Sequence, residues 1–162
     1  MLVSGFSPSS SAQVLPDADL ECDDSTEIDL SDGSGTSVVY CELTNPTAFA
    51  EKVELTYQSG EMNTAGPGSI TVGAGQTESF QIVVASQTGQ TAGTYEVNVS
   101  AVVTEWNGVP VSIFGFSDEE VLEVEVLPYT TCSSSHPSAI FAEAGEDVLF
   151  SIVYDCDSNE AN

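Results

Sequence analysis

Few residues in this chain have types and spacings that could do chemistry. Cys22, Cys41, Cys132 and Cys156 fall into two well-separated pairs. None stands in a CxxC spacing, so neither a zinc ribbon nor a thioredoxin-like motif is written here. An even count points to disulfides, and four cysteines allow three connectivities. Disulfides imply an oxidising, extracytoplasmic compartment. Four buried free thiols in a cytosolic domain are the alternative. His136 is the sole histidine, beside Pro137 in a serine-rich stretch. A loop imidazole of that kind is ordinarily solvated, and no metal cluster can be built from histidines. Nucleophile-elbow, P-loop and HExxH motifs are absent. The expectation is a non-enzymatic chain with no catalytic residues and no cofactor.

Three weaker features remain. Asp17, Asp19, Asp23 and Asp24 crowd one stretch, with Asp118, Glu119 and Glu120 further on. Calcium takes six to eight oxygens, and such carboxylates could bridge two modules through it. The spacing is not an EF-hand loop, so a solvated acidic face is the ordinary reading. Trp106 precedes Asn107-Gly108 and, if exposed, could stack on a sugar or a protein partner; as a lid on the end of a domain it would do neither. Asn98-Val99-Ser100 is an N-glycosylation sequon.

Charge removes whole classes of function. The 162 residues carry 26 Asp and Glu against one basic residue, Lys52, for a formal net charge of -25. A binder of nucleic-acid backbones needs a basic face to replace counterions, and none can be built. Docking on anionic lipid fails for the same reason. Nothing resembles an apolar span of about 20 residues, so no inserted membrane helix is expected. A surface this acidic repels itself unless salt screens it, which suggests a saline or marine source or an acidic cell surface. Apolar residues still make up 41% and come in patterned runs, so a core can be buried.

The chain repeats itself. Gly5-Phe6-Ser7 returns as Gly115-Phe116-Ser117, Val14-Leu15-Pro16 as Val126-Leu127-Pro128, and Cys22 as Cys132, at offsets of 110, 112 and 110 residues. Val39-Tyr40-Cys41 and Asn45 are echoed by Val153-Tyr154, Cys156 and Asn159. A period near 110 residues is the size of an immunoglobulin-like sandwich. The expected organisation is the tail of one repeat (1–16), a complete repeat (17–128) and the incomplete opening of a next one (129–162), within a longer open reading frame. The N-terminal stretch MLVSGFSPSSSAQV lacks the charged and apolar regions of a signal peptide, as an internal start would. The repeat favours Cys22–Cys41 and Cys132–Cys156 as the disulfides.

The elements that must position these residues are strands. Alternation with turn punctuation runs throughout, and no segment has a helical period. Leu20 to Cys22 and Glu27 to Leu30 read as a broken first strand. Thr36 to Leu43 puts Val39, Cys41 and Leu43 on one face. Glu51 to Tyr57 puts Val53, Leu55 and Tyr57 inward. Ser69 to Val72 is short, and Thr77 to Ala85 offers Phe80, Ile82 and Val84. Gly93 to Thr104 places Tyr95, Val97, Val99, Ala101 and Val103 inward and Asn98 outward. Asn107-Gly108 suits a type I′ hairpin turn into a strand at Val109 to Phe114. Glu120 to Leu127 closes the repeat with Leu122, Val124 and Val126. Seven to nine strands make an antiparallel, all-β sandwich. In the last segment, Ala139 to Ala142 and Asp147 to Tyr154 read as two further strands.

Two of these segments resemble a known group. Val72-Gly73-Ala74-Gly75 running into Phe80-Gln81-Ile82-Val83, and Ala92-Gly93-Thr94-Tyr95-Glu96-Val97, are similar to immunoglobulin-like repeats of bacterial and archaeal surface proteins, the adhesion-related CARDB-like and similar stalk domains. The first pattern recurs at Ala144-Gly145 and Phe150. The resemblance implies tandem modules at a cell surface or in secreted proteins, with neighbouring repeats, a surface protein or a polysaccharide as partners. It supplies no catalytic residues. Tyr95 would pack at a sheet corner and bond the backbone. The expected function is an extracellular structural or adhesion spacer. An accessory binding module of a secreted hydrolase and a filament or surface-layer subunit are the alternatives.

Overall fold

A computed structural model describes residues 15–31, 33–111, 116–138 and 140–160. They contain twelve strands: β1 (Asp19–Cys22), β2 (Ser25–Ile28), β3 (Thr36–Thr44), β4 (Glu51–Gln58), β5 (Asn63–Ala65), β6 (Ser69–Val72), β7 (Thr77–Ala85), β8 (Gly93–Trp106), β9 (Val109–Pro110), β10 (Ser117–Val126), β11 (Thr130–Ser135) and β12 (Val153–Ser158). The first ten build two sheets, ordered β1-β3-β7-β5 and β2-β10-β8-β4-β6, with β9 on β8. β11 and β12 pair alone as a ribbon. The expected tail of a preceding repeat falls almost wholly on residues outside the described set.

Period-two alternation drives the assembly. Val39, Cys41 and Leu43 on β3 and Ile82 and Val84 on β7 face Val53 on β4, Val97, Val99 and Ala101 on β8 and Leu122, Val124 and Val126 on β10. All are buried, and each apolar side chain of this size withdrawn from water contributes roughly 1.5–3 kcal/mol. The opposite faces carry the acids: Glu54 on β4, Glu96 on β8, Glu123 and Glu125 on β10.

The structure corrects several details. Among the described residues the sandwich has ten strands, against the seven to nine expected. The broken first strand is divided between sheets: β1 lies antiparallel on β3, then β2 crosses over and runs parallel to β10. β5 has no apolar alternation and pairs with β7 through its backbone. Asn107 (φ 50°) and Gly108 (φ 74°) make the expected turn, but the described part of the following strand is only Val109–Pro110. The expected remainder, to Phe114, lies mostly outside the described residues. Residues 140–142 and 147–152 do not form the strands expected there, only Val153 and Tyr154 of the second being in a strand, and Ala139 lies outside the described residues. The pairing runs instead between serine-rich β11 and Val153–Ser158, because a cystine fixes that register. Phe141, Leu149 and Phe150, which made the expected strands look apolar, are exposed.

Two tyrosines pin corners. The Tyr95 hydroxyl donates to Thr91 O at 2.9 Å, the corner bond expected of it. Tyr57 donates to Pro67 O at 2.8 Å, and its burial pushes the phenol up to about 12. A side chain at Gly66 would meet that hydroxyl at 2.6 Å, so this close approach requires glycine.

The chain enters and leaves the sandwich at opposite ends. Asp19 starts β1 opposite Thr44, the last residue of β3, and Glu51, Trp106 and Ser117 cap the same end. Val126 ends β10 opposite Gly93, the first residue of β8, at the other end. We call these the leading and trailing ends.

Candidate functional site

The four cysteines form two cross-strand bonds. Cys22 and Cys41 are direct partners in β1–β3, with Cα atoms 4.0 Å apart. Cys132 and Cys156 are direct partners in β11–β12, with Cα atoms 4.1 Å apart. The ribbon therefore copies the β1–β3 pair. Two disulfides fit an oxidising compartment. No helix among the described residues is long and apolar enough to cross a membrane.

At the trailing end Asn159 fastens the ribbon to the sandwich. Leu127 N donates to Ile28 O at 3.0 Å, and β11 begins three residues after Leu127. Asn159, 7% exposed, closes the joint. Its Nδ2 donates to Leu127 O at 3.0 Å, and its Oδ1 accepts from Tyr129 N at 2.8 Å. Its own carbonyl accepts from Ala92 N, in the β7–β8 loop, at 2.8 Å. Strand, linker and loop meet at a single side chain and its backbone. A small cleft of about 150 Å³ remains between Leu30, Gly89 and Gln90 on one side and Asp157 and Glu160 on the other.

The leading end holds a buried polar network. Asn45, Thr47 and Glu51 are 1%, 2% and 1% exposed. Asn45 Nδ2 donates to Phe49 O at 2.8 Å and Val72 O at 3.1 Å, while its Oδ1 accepts from Thr47 N at 2.9 Å. Glu51 Oε1 lies 3.1 Å from the Thr47 hydroxyl and accepts from Asp17 N at 3.2 Å, where the chain enters. Glu51 Oε2 is buried without a partner. Burial pushes the Glu51 carboxyl above its ordinary value, against the lowering pull of the Asp17 N–H and the Thr47 hydroxyl. Sequence reading missed this residue, although it stands two before Val53 in the inward phase of β4.

The other candidates have structural surroundings. Trp106 is half-buried against Phe49, ring centroids 4.9 Å apart and edge-to-face, with its Nε1 buried and unpartnered. The pair sits at the end of the sandwich where β4 begins. Asp23 Oδ2 accepts from Tyr40 N at 3.0 Å, and Asp118 Oδ2 accepts from Leu20 N at 2.9 Å. Both carboxylates thus bond backbone. Among the described residues no three Asp, Glu, His or Cys side chains are grouped to hold a metal, so the carboxylates around Asp17, Asp19, Asp23 and Asp24 are not assembled as a calcium cage. Asn98 points outward from the middle of β8, half-buried. His136 follows β11 in an exposed loop, its Nδ1 3.1 Å from Pro137 O.

No protein-family model matches the chain, and no curated protein matches it. Solved structures do. A FixG-related protein from Vibrio parahaemolyticus superposes at TM-score 0.50 and 11% identity, over 68% of this chain and 95% of that one. The fold is an immunoglobulin-like β-sandwich. Escherichia coli alpha-2-macroglobulin, activated by porcine elastase, gives 0.49 at 15% identity over 74% of this chain, which spans only 10% of that protein. The ASH / PapD-like domain 7 of human CEP192 gives 0.46 at 12% identity over 78% of this chain and 94% of that domain. Identity this low reports the sandwich fold alone and does not reach the narrower resemblance to prokaryotic stalk repeats.

Proposed function

We propose that the chain is a non-enzymatic extracellular module, a spacer in a tandem array of acidic sandwiches at a cell surface, with residues 129–162 opening a further repeat. One observation carries this reading: the chain enters the sandwich at one end, leaves at the other, and is locked to the next strand pair there by Asn159. Modules joined this way stack end to end and convert residues into reach. The two cystines support an oxidising location, and the copied cystine register of β1–β3 and β11–β12 supports the repeat.

Antibodies against residues 17–128 test the proposal on fractionated source cells. An envelope band with its cysteines resistant to alkylation until reduced is the expected result. A cytosolic band with freely alkylated thiols would overturn it. A band in the medium that travels with hydrolytic activity would favour an accessory module of a secreted enzyme. A filament subunit is a second reading, supported by the exposed apolar side chains of Phe141 (94%) and Leu149 (98%). It requires concentration-dependent assembly of the purified chain in high salt.

A further inference from the structure

The outer face of the six-stranded sheet carries a feature that a plain spacer does not need. Where β4 ends, its turn toward β5 rises beside β8 and leaves an open trough of about 630 Å³. Gln58, Asn98 and Val121 form one row across β4, β8 and β10, each the direct register partner of the next. Glu96 lies two residues along β8 on the same face, and Glu61 stands on the turn. Among the described residues none of the four polar side chains, Gln58, Glu61, Glu96 and Asn98, has a partner within the chain.

The chemistry narrows the ligand. Two amides offer N–H donors and carbonyl acceptors, and two carboxylates offer acceptors only. A ligand that uses the amide N–H groups as well as the oxygens must both donate and accept at closely spaced points, as the hydroxyls of a sugar ring do; a donor-only cation would leave those N–H groups unused. Val121, 51% exposed, supplies an apolar floor for the C–H face of such a ring. An anionic ligand finds no cation here, because Lys52 sits toward the far end of β4 with its ammonium 3.2 Å from Glu105. The trough is also open along the sheet, which suits a segment of a longer chain rather than an enclosed small molecule. We propose that this trough binds a neutral polysaccharide, contacting it through Gln58, Glu61, Glu96 and Asn98.

The test uses the full chain in native gels that contain laminarin, hydroxyethyl cellulose or starch, with alginate as an anionic control and poly-L-lysine in solution as a cationic one. Retardation by at least one neutral glycan that persists in 1 M NaCl is expected. Asn98→Ala and Glu96→Gln should each weaken it at least tenfold without lowering the thermal midpoint, which Glu96→Gln should if anything raise by relieving its repulsion with Glu123. Tyr40→Ala, on the exposed face of the other sheet, should leave it unchanged. If Asn98→Ala lowers the midpoint, the exposed Glu96→Gln decides. No retardation by any of the three neutral glycans overturns the proposal. So does retardation that both trough variants retain, or binding confined to poly-L-lysine and abolished by salt.

Discussion

Glu51 is the residue at which the leading end is decided. Its carboxyl is buried, its Oε1 serves Thr47 and the Asp17 N–H, and its Oε2 serves nothing. Burial raises its folded pKa above the ordinary 4.5, so the protonated form is the one the fold prefers. This contribution to stability is therefore greatest at acid pH and is lost as pH rises through the folded value. Glu51→Gln keeps an acceptor for both donors, places an amide where the orphaned oxygen stood and removes the charge. It should raise stability at pH 7 by on the order of 1 kcal/mol, and the gap from the native chain should close on acidification. Glu51→Ala leaves the Asp17 N–H short of its acceptor, while the Thr47 hydroxyl keeps Asn45 Oδ1 at 2.8 Å, and should cost about 1–3 kcal/mol. Urea melts of the three proteins at pH 7 and below 4.5 measure both differences. A Gln variant less stable than the native chain at pH 7 would contradict this account. The alternation of Glu51 with Val53 and Leu55 already marks it as inward in the sequence, but its bond to Asp17, 34 residues away, does not follow from any local pattern. Cys22 and Cys41 were legible because a repeated pair carries its own pairing rule. Asn159 was legible only as an echo of Asn45, without its role in the joint.

At the scale of elements, the two cystines hold the same kind of strand pair in different company. β3 has β7 on its other side and the core beneath it, whereas β12 has only β11. Cys22–Cys41 closes a separation of 19 residues, for which chain entropy predicts about 3 kcal/mol of stabilisation. Cys22→Ser with Cys41→Ser should lower the melting midpoint of the whole sandwich. The same change at Cys132 and Cys156 should leave that midpoint nearly unmoved and release the ribbon, because two strands without a core are marginal in water. Hydrogen exchange resolved by strand separates the outcomes: β11 and β12 lose protection while β3, β7 and β8 keep it. A matching loss of sandwich stability from both double variants would mean that ribbon and sandwich melt as one unit. The same contrast explains which strands could be read. β4, β6, β7 and β8 alternate in sequence and pack in a core. β5 takes its place from backbone pairing, and β11 and β12 take theirs from a cystine. The exposed Leu149 and Phe150 show that an apolar run without a facing sheet does not become a strand.

For the whole molecule, a net charge of -25 on 162 residues must be held together against itself. Some repulsion is built into the sheets, where Glu21 faces Glu42 and Glu96 faces Glu123 directly across paired strands. Like charges so placed are destabilising, and raising salt from 0.1 M to 1 M shortens the Debye length from about 10 Å to about 3 Å. The melting midpoint should therefore climb with sodium chloride over that range, and a flat response would mean that the facing glutamates do not strain the sheets. In the array proposed above the same repulsion would act between neighbouring acidic modules and favour extension, but only a stiff joint would make the extension persist. Leu127, Pro128 and Tyr129 alone would let the ribbon swing. Asn159 removes that freedom by bonding the linker twice through its side chain, while its carbonyl accepts from the sandwich at Ala92. Asn159→Ala deletes both linker bonds and leaves the backbone bond without its support. In the native chain, nitrogen relaxation of β11 and β12 should report the same tumbling time as β8 and β10. In Asn159→Ala the ribbon should tumble faster than the sandwich, with its cystine and the sandwich midpoint intact. Identical tumbling in the variant would mean that the joint is stiff without the asparagine. Faster tumbling already in the native chain would mean that it is not stiff at all, and the end-to-end spacer would lose the observation on which it rests.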